Sequence, residues 1–299
     1  MTPLPPAGIH CVLYAMFDKQ ERVDRGLMRE QIDAVLRCGV SGITVLGLAT
    51  EVGKLSGDER KQLMRTTATD LAGRRPLSIT INGASVAEQI EQLRAAEDCG
   101  ADWLILQPPG VGTYPATEYL DFFGRVADAA RKPVAVQNAP AYFGRGLTAD
   151  ELGQLFSRHP KLKIIKGEGP AVDIERLVKT VGPDVPVFNG RGGLEMIDSL
   201  RAGCAGLILA PDLVDRAAKT FAAFKSGDET AAEALYAGSL PAVVFIMQSL
   251  ESLVLYGKRL FALRAGLPQV NDRSPATRPT EFGLAAIERF ARQLGPLAS

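Results

Sequence analysis

Eight short apolar runs, each separated from the next by an amphipathic stretch, limit this chain to very few folds. They are HCVLYAMF (10–17), GITVLG (42–47), PLSITI (76–81), DWLILQ (102–107), PVAVQ (133–137), LKIIK (162–166), VPVFN (185–189) and GLILA (206–210). Most are apolar at nearly every position, the pattern of strands covered on both faces, as in parallel sheets. The stretches between them read as helices, among them 58–71, 86–99, 117–130 and 174–181, several with acidic residues early, where the helix dipole favours them. Three segments repeat one theme: RCGVSGITVLG (37–47), DCGADWLILQP (98–108) and RAGCAGLILAP (201–211). Each reads as a helix end, a glycine that allows positive φ, then a strand. Eight strand–helix units predict parallel strands closed into a (β/α)8 TIM barrel. An open doubly wound sheet is the alternative, but it usually has fewer strands.

After the eighth unit, residues 226–266 and 280–295 read as further helices. No long linker precedes them, so the expected organisation is a barrel over 1–225 with a C-terminal helical extension, 226–299, packed on it.

The composition excludes several functions. Of 299 residues, 46% are hydrophobic and 23% charged, enough for a large buried core. The 34 basic residues equal the 34 acidic ones, so no excess positive field exists to hold nucleic acid or an anionic membrane. No apolar run reaches the ~18 residues of a membrane span, and MTPLPPAGIH lacks a signal-peptide layout. The expectation is a cytoplasmic protein. Cys11, Cys38, Cys99 and Cys204 are scattered without CxxC spacing, and only His10 and His159 could join them. Neither a zinc site nor a disulfide framework is expected.

Lys166 stands out within KLKIIKGEGP (161–170). On a strand, Leu162, Ile164 and Lys166 share one face, and in a barrel the functional groups sit at the C-terminal strand ends. Lys166 would then project into a pocket floored by Leu162 and Ile164. Burial disfavours a charged amine, and a neutral one can attack a ketone to form an imine, an electron sink for chemistry at the adjacent carbon. The plainer alternative is a lysine snorkelling to the surface, as Lys161 and Lys163 would.

Two motifs carry a resemblance to a known family. GLATEVGKLSGDER (47–60) resembles the strand-two motif of the Schiff-base-forming dihydrodipicolinate synthase / N-acetylneuraminate lyase family, and KIIKGEG places Lys166 where that family carries its imine-forming lysine. Asn189–Gly190, GLILA and YGKRLFALRAG also fit, so the resemblance spans nearly the whole chain. It implies a TIM barrel, a covalent imine on Lys166 with no other cofactor or metal, a small 2-keto acid substrate, and a homotetramer or homodimer.

The departures from that family narrow the activity. Its pyruvate-using members have a tyrosine in a YN-x-P motif after strand five; here VQNAP puts Gln137 there. Leu48 and Ala49 replace the usual pair of hydroxyls, and QPPGVG lacks a second tyrosine, although Tyr114 lies near. Tyr142 stands where dihydrodipicolinate synthases have an arginine for the aldehyde's carboxylate, with Arg145 three residues on. Enzymes dehydrating 2-keto-3-deoxy sugar acids, in particular the L-2-keto-3-deoxyarabonate dehydratase-like subgroup, are similar in having Q-[ND]-A-P and K-x-E, matched by Gln137–Pro140 and Lys166–Glu168.

Under this resemblance Lys166 forms the imine at C2, the C3 proton is removed, and the C4 hydroxyl leaves. Glu168 is the candidate proton carrier, because i and i+2 project to one side of a strand. Gln137 can orient a hydroxyl or water but cannot titrate. Thr50 and the amides around Ala49 would hold the carboxylate, while Asn189, Gly190 and Ile208 would line the pocket. Glu51 is read as bracing its loop, Trp103 as packing, and GRGG (190–193) as a turn. Two alternatives remain: an aldolase that cleaves to, or condenses, pyruvate and an aldehyde, and a non-catalytic keto-acid-binding barrel.

Overall fold

The computed structural model describes residues 4–297 except 111, 113 and 269. The outermost residues of the expected barrel and extension, 1–3 and 298–299, therefore lie outside the described residues. Strands β1 (Gly8–Val12), β2 (Gly42–Val45), β3 (Leu77–Ile81), β4 (Trp103–Leu106), β5 (Val134–Asn138), β6 (Leu162–Gly167), β7 (Val187–Asn189) and β8 (Gly206–Leu209) close in sequence order into one parallel barrel. Helices α1 (Arg25–Arg37), α2 (Gly57–Leu71), α3 (Val86–Asp98), α4 (Ala116–Asp128), α5 (Pro140–Phe143), α6 (Ala149–Arg158), α7 (Ala171–Val181), α8 (Met196–Arg201) and α9 (Val214–Lys225) connect or follow them. The TIM barrel is the fold that the alternation predicted.

Local chemistry explains the element ends. Ser56 and Glu59 cap α2 reciprocally, as do Thr148 and Glu151 on α6. Helix α7 begins three residues before the expected Ile174, because Pro170 occupies its N-cap and leads directly into helical backbone. The first strand is a correction: the apolar run 10–17 ends its ladder at Val12. Leu13–Phe17 stays buried but leaves the sheet, and Phe17 makes isolated bridges to Val23 and Asn271. Apolarity reports burial, and a buried loop satisfies it as well as a strand does.

Strand pairing fixes what faces inward. Neighbouring residues in register share a face, so Gln137, Lys166 and Phe188, paired across β5, β6 and β7, point the same way. Around Phe188 the interior is filled by rings. His10 lies edge-on to Trp103 and Phe188, with centroids 5.7 and 5.1 Å away, and Trp103 stacks on Phe188.

Past α9, α10 (Glu229–Ile246) packs against it. The chain then breaks and runs through α11 (Leu250–Ser252), a π-helical turn over Leu253–Gly257 and α12 (Lys258–Ala265), bent 110° from α10. Helix α13 (Glu281–Leu294) packs on α12. Among the described residues, no single helix is long and apolar enough to cross a membrane.

Candidate active site

Lys166 is the last side chain of β6, since Gly167 ends the strand, and it is only 3% exposed. Its Nζ lies 2.9 Å from Oε1 of Glu168, itself buried just beyond the strand. The same oxygen accepts from Gln137 Nε2 at 3.2 Å, and Gln137 Oε1 accepts from Gln107 Nε2 at 2.9 Å. A buried chain thus runs from the end of β4 through β5 to β6. The proton on the amine has one side-chain acceptor among the described residues, and that acceptor is held by an amide that cannot titrate.

Glu168 Oε2 is buried without a hydrogen-bond partner among the described residues. A carboxylate oxygen withdrawn from water and left unpaired is costly, which marks the place where a ligand would complete the site. The expected Gly190 borders this carboxylate: a Cβ there would stand 2.8 Å from Glu168 Cγ and Oε1. Any larger residue would displace Glu168.

The cavity above these groups, ≈ 40 Å³, is lined by Val12, Leu48, Ala49, Tyr142, Arg191 and Ile208, along with Lys166 and Glu168. That is room for a few waters. The apolar floor differs from expectation. Leu162 and Ile164 do not line the cavity, whereas Val12 of β1 and Ile208 of β8 do, because in a closed barrel the opposite strands cover the space beneath a strand end.

Two more expected lining residues lie elsewhere. Thr50 is fully buried, and its hydroxyl donates to the Leu13 carbonyl at 2.6 Å. Asn189 donates to Ser199 Oγ and to the Gly169 carbonyl and accepts from the Gly190 N–H, so its amide is consumed in bracing the β7 end. Both are short polar residues next to a turn, and the backbone offered them partners before any ligand could.

The β2 turn retains anion-binding capacity without Thr50's hydroxyl. Leu48–Thr50 is a single 3₁₀ turn starting at Gly47, and the N–H groups of Leu48 and Ala49 have no acceptor among the described residues. Glu51 follows with left-handed φ of 53° and is held from two sides. Lys54 Nζ lies 2.7 Å from Oε2, and the fully buried Lys258 of α12 contacts Oε1. Glu51 therefore braces the loop, as the sequence suggested. A larger hollow of ≈ 550 Å³ lies beyond Leu48 and Leu250. Glu51 and Lys54, which line it, are paired to each other, and Lys166 does not line it, so the smaller cavity is the candidate site.

Three lining or supporting residues escaped the sequence reading. Gln107 lies one residue past β4 and Gln137 is the last residue but one of β5, and nearness to a strand end was the signal for it. Arg191, read as part of a turn, reaches the cavity rim while pairing with Glu195 at 2.7 Å. Tyr142 stood out only as a replacement, yet the fold turns it inward. Burial, then the nearby charge of Glu168, push its phenol up to about 12, so the hydroxyl keeps its proton throughout the neutral range. Among the described residues, no group of three His, Cys, Asp or Glu is placed to hold a metal ion.

Comparison with known proteins places this arrangement in context. Residues 5–292 match the sequence model of the Dihydrodipicolinate synthetase family. The L-2-keto-3-deoxyarabonate dehydratase of Azospirillum brasilense is 25% identical over 296 residues, covering 97% of this chain and 95% of that protein. A probable 2-dehydro-3-deoxy-D-pentonate aldolase of Escherichia coli K12 is also 25% identical, covering 86% and 88%. The crystal structure of YagE, a prophage protein of the dihydrodipicolinic acid synthase family from E. coli K12, superposes with a TM-score of 0.90 at 23% identity over 96% of this chain and 98% of that one.

Proposed function

This chain belongs to the dihydrodipicolinate synthetase family of lyases, and from that premise we propose that it dehydrates a 2-keto-3-deoxy sugar acid through an imine on Lys166. Enzymes of the family work through a lysine Schiff base on small keto acids. The observation that carries the reading is the buried Lys166–Glu168 contact with its idle second carboxylate oxygen. Lys166 passes a proton to Glu168 and attacks C2 of the substrate; Glu168 returns that proton to the carbinolamine oxygen, which leaves as water to give the protonated imine and restores the carboxylate. The free amides of Leu48 and Ala49 receive the substrate carboxylate. Glu168 then takes the C3 proton to give the enamine and returns it to the C4 hydroxyl, which departs as water with every C–C bond intact. Gln137 holds Glu168 in place, and Ile208 and Ala49 keep water from the imine. The dehydratase relative, aligned over nearly the full chain, supports this over cleavage.

A second reading, retro-aldol cleavage to pyruvate and an aldehyde, draws support from the aldolase relative. Sugar-derived 2-keto-3-deoxy acids incubated with wild type and Lys166→Ala separate the two. Dehydration yields a product of unchanged carbon number; pyruvate release signals cleavage. Borohydride should attach the keto acid to wild type, seen as a mass increase, and never to Lys166→Ala. If wild type is not modified by any keto acid, the imine proposal falls and a non-catalytic binding barrel takes its place.

A further inference from the structure

Two polar groups face the same cavity without partners. Glu168 Oε2 is buried and unpaired, and the Tyr142 hydroxyl makes no hydrogen bond among the described residues, although Glu168 is close enough for its charge to act on the phenol. One group can only accept while the other keeps its proton and donates. They do not satisfy each other; Tyr142 stands on α5, after β5, and Glu168 on the loop after β6. A hydroxyl placed between them does both jobs, donating to the carboxylate and accepting from the phenol. A methylene there would leave both groups desolvated and unpaired, and sites built to bond a hydroxyl reject the analogue lacking it.

We propose that Tyr142 and Glu168 together form a recognition site for the C4 hydroxyl of the substrate, making this a site for 4-hydroxy-2-keto acids rather than for unsubstituted ones. The inference rests on the imine reading, because C2 bonded to Lys166 sets the distance at which C4 falls. Tyr142 touches substrate but transfers no proton. It holds the C4 oxygen toward Glu168, which carries the proton from C3 to the departing hydroxyl.

Borohydride trapping of 4-hydroxy-2-oxopentanoate and of 2-oxopentanoate, which differ only at C4, provides the test, read as the half-saturating concentration at short times before turnover. Wild type should favour the hydroxylated acid by about tenfold or more. Tyr142→Phe, which removes one oxygen and leaves Glu168 in place, should cut that ratio several-fold while still being trapped with 2-oxopentanoate. That last measurement also shows that the variant is folded and still forms the imine. Equal half-saturation for the two acids in wild type, or a preference undiminished in Tyr142→Phe, would overturn the inference and leave the imine intact. Failure to trap either acid would overturn both.

Discussion

At the scale of single residues, the site works through what neighbours leave undone. Glu168 offers one oxygen to Lys166 and Gln137 and keeps the other free, and Gly190 supplies the space in which it sits. Lys166 was legible in the sequence because it ends an apolar strand. Thr50 and Asn189 were misleading because residue type does not say which partner a side chain finds first. His10 carries a prediction of its own. It is enclosed among Trp103, Phe188 and the backbone, and burial lowers its imidazole from 6.5 to about 4, opposed only by its hydrogen bond to the Pro6 carbonyl. As pH falls, the unfolded chain binds this proton first, so stability is full above about 6.5 and declines down to about 4, by roughly 2–3 kcal/mol. His10→Phe should lower Tm at pH 7 slightly and flatten its fall between pH 7 and 4.5; parallel curves for the two proteins would refute the assignment.

Among elements, the loops after the strands are positioned by what lies outside the barrel. The turn Leu48–Thr50 was visible as a motif, but its brace was not, since Lys258 lies 207 residues from Glu51 in the chain. Burial lowers the Lys258 amine against the opposing pull of Glu51, and the Phe17 ring lies 5.1 Å from its nitrogen. Glu51 adopts a left-handed backbone that costs a non-glycine residue about 1 kcal/mol and survives only where the surroundings hold it. Lys258→Met leaves Glu51 buried with Lys54 alone and should destabilise the protein by about 3 kcal/mol in urea unfolding. Adding Glu51→Gln should recover part of that loss. If the double variant is as unstable as the sum of both singles, the two residues are not coupled.

For the molecule as a whole, closure converts eight local strand ends into one site. The β5–β6 register sets Gln137 beside Lys166, and the short helix α5 folds Tyr142 over them. Val172 on α7 is 74% exposed and Phe282 on α13 is 75% exposed, apolar surface that contact with another copy of the chain would bury. Family members are typically oligomeric, and we propose the same of this chain. Light scattering should give a mass at a multiple of 32.0 kDa, and Val172→Asp should lower it. An unchanged mass for the variant would put the contact elsewhere.

The amino-acid order by itself determined the barrel, the strand that ends in Lys166 and the carboxylate two residues on, because periodicity and near neighbours are local properties of a chain. Only the tertiary structure decided that Val12 and Ile208 form the floor, that Thr50 and Asn189 turn away, and that Tyr142, Arg191 and Gln107 join the site. Those choices depend on which side chains compete for the same donor, acceptor or space once distant segments meet, and no pattern within one segment encodes the outcome of that competition.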